Sequence, residues 1–168
     1  MKRLMLSLVA LLFSITTFAV KVTYGSLECL KNEQSIAVSL DLTNTTYMTK
    51  YSVESFLGKY PRVNDWKERS IQYFIKEFNK NAYNIGLYVV ADNETEYEMQ
   101  IVPSDIKADG RFVKVTVNIV KKETKETMAS LLLNSSDGDN DDEITFRDTM
   151  RNLGELLGRF FNTKMKKL

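Results

Sequence analysis

The chain has 168 residues, with 23 lysines and arginines against 22 aspartates and glutamates, no histidine and one cysteine. A nearly neutral charge gives no built-in attraction for nucleic acid or an anionic membrane. Without histidine there is no Ser-His-Asp or Cys-His catalysis and no histidine-ligated zinc, and one thiol makes neither an internal disulfide nor a four-thiolate metal site.

The chain opens Met1-Lys2-Arg3, runs uncharged from Leu4 to Ile15, and reaches Thr16-Thr17-Phe18-Ala19. Basic start, apolar core and small-residue end are the three parts of a secretory signal, with the cut expected after Ala19. The alternative is an uncleaved anchor, but the core is short of the ~20 apolar residues that span a bilayer and Lys21 closes it. A lipid-bearing cysteine would follow the apolar core directly. Cys29 lies ten residues past Ala19, behind Leu27-Glu28, which excludes lipid attachment there. Residues 20–168 are expected to form one domain, because no Pro/Gly/Ser-rich linker divides them.

Val20, Val22 and Tyr24 alternate with polar neighbours, and the segment to Leu30 reads as a strand. Cys29 falls within it and reads as a buried apolar group; pairing between chains is the alternative. Ile36, Val38, Leu40 and Leu42 then mark one face of a second strand, and the two are expected to pair as a hairpin. Thr43–Thr49 reads as irregular and Ser52–Lys59 as a short helical turn. A long helix is predicted from Asn64 or Asp65, with Glu68 in the capping-box position. Its apolar stripe is Ile71, Phe74, Ile75, Phe78 and Ala82, with Ser70 on the flank.

The run Ile85–Val90 is almost wholly apolar and reads as a central strand covered on both faces. Tyr97, Met99 and Ile101 mark the next strand, closed by Pro103. Phe112–Val120 and Met128–Leu133 follow, spaced as an antiparallel meander. Thr145 is expected to cap a final helix, with Asp148 in the box position and a stripe from Phe146 to Met165. Within it Gly154 and Gly158 form a GxxxG pair, read as close packing of helix on sheet. The expected fold class is α+β: a mostly antiparallel sheet of five to six strands with two main helices packed on it.

Two groups of acids bear on chemistry. Asp137, Asp139 and Asp141 alternate as at the opening of a calcium loop. The turn-glycine position holds Asp142, however, and the closing acid is Asp148 rather than a glutamate, so the loop reads chiefly as a solvated turn. Asp65, Glu68, Glu94 and Glu96 are candidates for a carboxylate pair, but nothing in the pattern places two of them across a cleft. No catalytic, cofactor-binding or metal residue is therefore assigned.

The order of these elements resembles small bacterial envelope domains: the periplasmic part of the curli secretion pore, the TolB amino-terminal domain and related lipoproteins. The shared layout is an opening strand pair, a helix at Trp66–Ala82, strands at Ile85–Val90, Arg111–Val120 and Met128–Leu133, and a glycine-bearing last helix. The resemblance implies assembly or binding in the envelope; together with the export signal and the missing catalytic groups, the expectation is a periplasmic or secreted binding or assembly module that is not an enzyme, needs no cofactor and engages a protein of the envelope. The alternative is a carboxylate-based hydrolase acting on glycans or other envelope substrates.

Overall fold

A computed structural model describes residues 20–60, 63–91, 94–134 and 142–168. The strands are β1 (Lys21–Gly25), β2 (Ser35–Leu40), β3 (Thr46–Tyr47), β4 (Tyr51–Ser52), β5 (Tyr88–Val90), β6 (Tyr97–Pro103), β7 (Asp105–Ile106), β8 (Val115–Lys121) and β9 (Glu126–Leu133). The helices are α1 (Val53–Lys59), α2 (Val63–Ala82) and α3 (Asp142–Lys164), and α2 and α3 are the two long ones. Six strands form one sheet in the order β1-β9-β8-β6-β2-β5, and β4-β3-β7 form a small second sheet. The fold is α+β, as the pattern of elements predicts.

Alternation builds the large sheet. Met99, Ile101, Val117, Ile119, Ala129 and Leu131 are buried on one face, while their neighbours along each strand, apart from buried Val120, are half-buried on the other. β6, β8 and β9 are the expected antiparallel meander. The opening hairpin does not form. β1 pairs antiparallel with β9, whereas β2 lies parallel to both β5 and β6 at the far side of the sheet. The chain between β1 and β2 turns through a short 3-10 helix, Leu27–Leu30, started by the Ser26 hydroxyl accepting from the Glu28 N–H at 3.2 Å. Cys29 therefore sits in a helical turn rather than a strand.

β5 is also placed differently. It is an edge strand of three residues, with Val89 buried and Tyr88 50% exposed. Its apolar run reads as central because Ile85 and Leu87 are apolar too. They belong to the turn after α2, where Gly86 adopts φ +71°, and they pack against the core there.

In α2 the deepest line is Trp66, Ser70, Phe74, Phe78 and Ala82, all buried at a spacing of four. Ser70 is thus central to the stripe, and Ile71 and Ile75 are its flank. In α3 the buried line is Thr145, Phe146, Thr149, Met150, Leu153, Leu157 and Phe161. Thr145 belongs to that stripe and lies inside the helix rather than at its N-cap, because the helix begins at Asp142.

α3 packs chiefly on α2. Gly154 and Gly158 face its backbone: a Cβ on Gly158 would lie 2.6 Å from the Phe78 carbonyl oxygen, and one on Gly154 would collide with that of Phe74. The GxxxG pair therefore serves helix-on-helix rather than helix-on-sheet contact. Such small residues let two helix backbones approach closely.

Candidate functional site: a sheet edge and three clefts

A sheet's outer strands carry unpaired main-chain groups, and proteins usually block them. Here the two edges differ. At β5, the Asn79 side chain reaches from α2 to both main-chain groups of Val89. Its Nδ2 donates to the Val89 carbonyl and its Oδ1 accepts from the Val89 N–H, each at 2.8 Å. One amide thus stands in for a neighbouring strand. At β1 every residue is exposed, including Val22 at 36% and Tyr24 at 61%. Among the described residues β1 pairs only with β9.

Tyr24 continues a row of side chains across the uncovered face of the sheet. The register joins Ser39, Gln100, Asn118, Ser130 and Tyr24. Within it the Ser130 hydroxyl donates to Asn118 Oδ1 at 2.7 Å. The open face next to β1 is therefore polar along this row and ends on an aromatic ring.

Among the described residues, clefts interrupt the surface at three places that bear on chemistry. The first, about 340 Å³, is lined by Asp41, Leu42, Thr43, Val53, Glu54, Leu57 and Lys67. Hydrogen bonds from Thr43, including its N–H at 2.9 Å, hold the Asp41 carboxyl below its ordinary range; partial burial opposes them and the Lys67 charge assists. Glu54 is held low as well, first by the Ser52 hydroxyl and then by its own N–H. Both acids are ionised near neutral pH, so neither supplies the proton that a glycosidic leaving group needs.

The low Asp41 pKa has a stability consequence. A carboxyl whose folded pKa is depressed contributes stability above its unfolded pKa and loses it as the pH falls through the folded value. Asp41→Asn removes that titration. Its melting temperature is expected to fall less steeply than wild type from about pH 5 to pH 3. Thermal unfolding across that range measures it, and parallel curves for the two proteins would refute the assignment.

The second cleft, about 520 Å³ and open, lies at the small sheet between Met48, Thr49, Asp105, Lys107, Asp109, Arg111 and Val113. Met48 and Thr49 form the β3–β4 turn at φ 55° and 58°. Buried Asp105 holds this left-handed turn, accepting from the Thr49 N–H and the Thr46 hydroxyl at 2.7 Å each. Asp109 is half-buried, which raises its pKa, but the hydrogen bonds and charge of Arg111 outweigh burial and hold it low.

The third cleft is a crevice of about 50 Å³ between α2 and α3, lined by Trp66, Arg69, Ser70, Tyr73 and Arg147. The α2 residues recur at three, one and three: Trp66 and Ser70 belong to the buried line itself, and Arg69 and Tyr73 lie on its exposed flank. That spacing was the signal in the sequence, and the apolar periodicity masks it.

The sequence-derived candidates are scattered. Asp65 and Glu68 are exposed on α2; Glu94 and Glu96 are exposed before β6, where Glu96 pairs with Lys121 at 3.1 Å. None of the four lines these clefts. Asp137, Asp139 and Asp141 lie outside the described residues. Among the described residues no three acids or thiols converge on a metal-sized site. Cys29 is half-buried against the core, and burial pushes its thiol pKa up despite a backbone hydrogen bond. Among the described residues no helix is long and apolar enough to cross a membrane.

No protein-family model and no curated protein matches the sequence. Among solved structures, the PelC dodecamer from Paraburkholderia phytofirmans aligns over 82% of this chain and 97% of its own, at 9% identity and a TM-score of 0.42. A protein from Xanthomonas campestris aligns over 79% and 87%, at 9% identity and a TM-score of 0.33. Both are bacterial proteins. At these scores the likeness says nothing of what this chain binds.

Proposed function

We propose that this chain is an exported, non-enzymatic binding or assembly module of a bacterial envelope, periplasmic or secreted. Residues 1–19 act as the export signal and residues 20–168 form the working domain. The partner is an envelope protein that adds an extended segment to the outer edge of β1. The carrying observation is the asymmetry of the edges: Asn79 closes β5, while β1 is open and presents Val22 and Tyr24. Strand addition draws affinity from main-chain hydrogen bonds and specificity from alternate side chains. The polar row that Tyr24 terminates offers further contacts on the same side.

The hydrolase reading finds no support in the first cleft, where Asp41 and Glu54 are both held ionised.

The test is a pull-down from detergent-solubilised envelope with the C-terminally tagged protein and a Val22→Lys/Tyr24→Lys double variant. Both positions are exposed, so folding is expected to change by less than about 1 kcal/mol. The expected result is one stoichiometric partner retained by wild type and lost by the variant. Equal retention by both, or none by folded wild type, would refute the edge as the docking site.

A further inference from the structure

The crevice between α2 and α3 contains an anomaly that the sheet edge does not explain. Trp66 is 7% exposed and Ser70 is 1% exposed, yet the indole Nε1 and the Ser70 hydroxyl have no hydrogen-bond partner in the protein. Buried polar groups are nearly always paired, and each exception calls for a cause. Here two exceptions line the same small cavity.

The lining also has a consistent chemistry. Indole N–H only donates, the serine hydroxyl can donate, and the two guanidinium groups only donate. Arg69 Nε is engaged with the Asp65 carbonyl at 3.3 Å. Arg147 sits with its guanidinium 5.5 Å from the centre of the Tyr73 ring and its Nε 3.6 Å from Asp148 Oδ1. Asp148 offsets part of the Arg147 charge but does not line the crevice, and no other acid does. Donors and positive charge, with no carboxylate among them, select an anionic acceptor. The volume of about 50 Å³ exceeds the roughly 10–15 Å³ that one water needs, so it admits a compact group.

We infer that this crevice is a binding site for a compact oxyanion, a carboxylate or phosphate group of a small ligand, seated on Trp66 Nε1 and the Ser70 hydroxyl and flanked by Arg147. The body of the ligand stays outside, against Tyr73, which is itself exposed at the rim.

Trp66 is the only tryptophan in the chain, so its fluorescence reads the site directly. The purified protein is titrated with sodium acetate and with inorganic phosphate, sodium chloride holding the ionic strength constant. The expected result is a saturable change in Trp66 emission with at least one oxyanion, at a Kd of about 10 mM or tighter. The tighter of the two identifies the group. A flat response to both, matching the chloride control, overturns the inference.

Two variants separate binding from structure. Ser70→Ala should weaken the anion response at least about tenfold, as expected for a lost charge-assisted hydrogen bond, while its melting temperature without anion stays equal or rises. A drop in melting temperature would mean that the hydroxyl serves the fold, and an undiminished response would mean that it does not bind. Arg147→Gln should also weaken binding about tenfold, with the anion-free emission of Trp66 unchanged. Wild-type affinity in this variant would equally overturn the site.

Discussion

Phe146→Ala is expected to destabilise the protein by about 3–5 kcal/mol, the range for truncating a fully buried aromatic residue. Phe146 is the hub of a ring cluster. Its centroid lies 5.0 Å from Phe112 at 88°, 6.2 Å from Phe56 at 15° and 6.4 Å from Trp66 at 56°. These partners come from three different places: the loop before β8, helix α1 and helix α2. Truncation leaves a void that none of them can fill alone, because each is held by further contacts. Phe56, for instance, also packs on Tyr47 at 5.4 Å and on Tyr60 at 5.1 Å. Typical domains have only about 5–15 kcal/mol in total, so the variant should sit near the limit of folding. Urea unfolding followed by Trp66 fluorescence measures the change, with an unaltered m-value confirming the same transition. A loss below about 1 kcal/mol would mean that the cluster does not tie these elements together.

Gly154→Ala is the second large effect, and its sign is opposite to the rule for helices. An alanine in a helix interior is ordinarily better than glycine by about 1 kcal/mol. At Gly154 the new Cβ would meet the Phe74 carbonyl oxygen and lie 3.0 Å from the Phe74 Cα. The obstruction is backbone, so no side chain can swing aside; the two helices must separate and loosen the Phe78–Phe161 contact at 5.3 Å. Overpacking of this kind costs about 1–3 kcal/mol or more. A net loss of about 2 kcal/mol is expected, lowering the melting temperature by roughly 4–8 °C for a chain of this size. Gly58 in α1 supplies the contrast, because nothing lies within 4 Å of its Cβ position. Gly58→Ala should stabilise by about 0.5–1 kcal/mol. If Gly154→Ala stabilises as Gly58→Ala does, the close approach of α2 and α3 is wrong.

The contrast shows which parts of the molecule could be read in advance. Periodicity alone locates α2, α3, β6, β8 and β9, because each buries one regular face. Pairing over long range is not written into any local pattern. Thr23 of β1 donates through its hydroxyl to the Ser130 carbonyl at 3.2 Å, a partner 107 residues away, and nothing near Thr23 favours that strand over β2. The run Ile85–Val90 misleads for a related reason: apolar residues in a turn and in an edge strand look alike until the cover over each is known. In the sequence Ser70 reads as a flank residue, because a small polar side chain is acceptable there and serine is mostly exposed. Its place at the centre of a buried stripe breaks the rule, and that breach is what exposes the crevice. The distinction between the edges was equally hidden, since one asparagine among several on α2 gives no sign that it stands beside a strand.

That asparagine also sets the valence of the molecule. A sheet with two free margins can be extended from both sides, so copies can add head to tail without limit and build a fibre. With Asn79 occupying Val89, the six-stranded sheet can be extended on its β1 side alone. An assembly made by strand pairing through this sheet then ends after one join, as a pair with both of its margins used or sealed. The domain is a terminus rather than a link in such a chain, able to finish a complex through its sheet but not to propagate one.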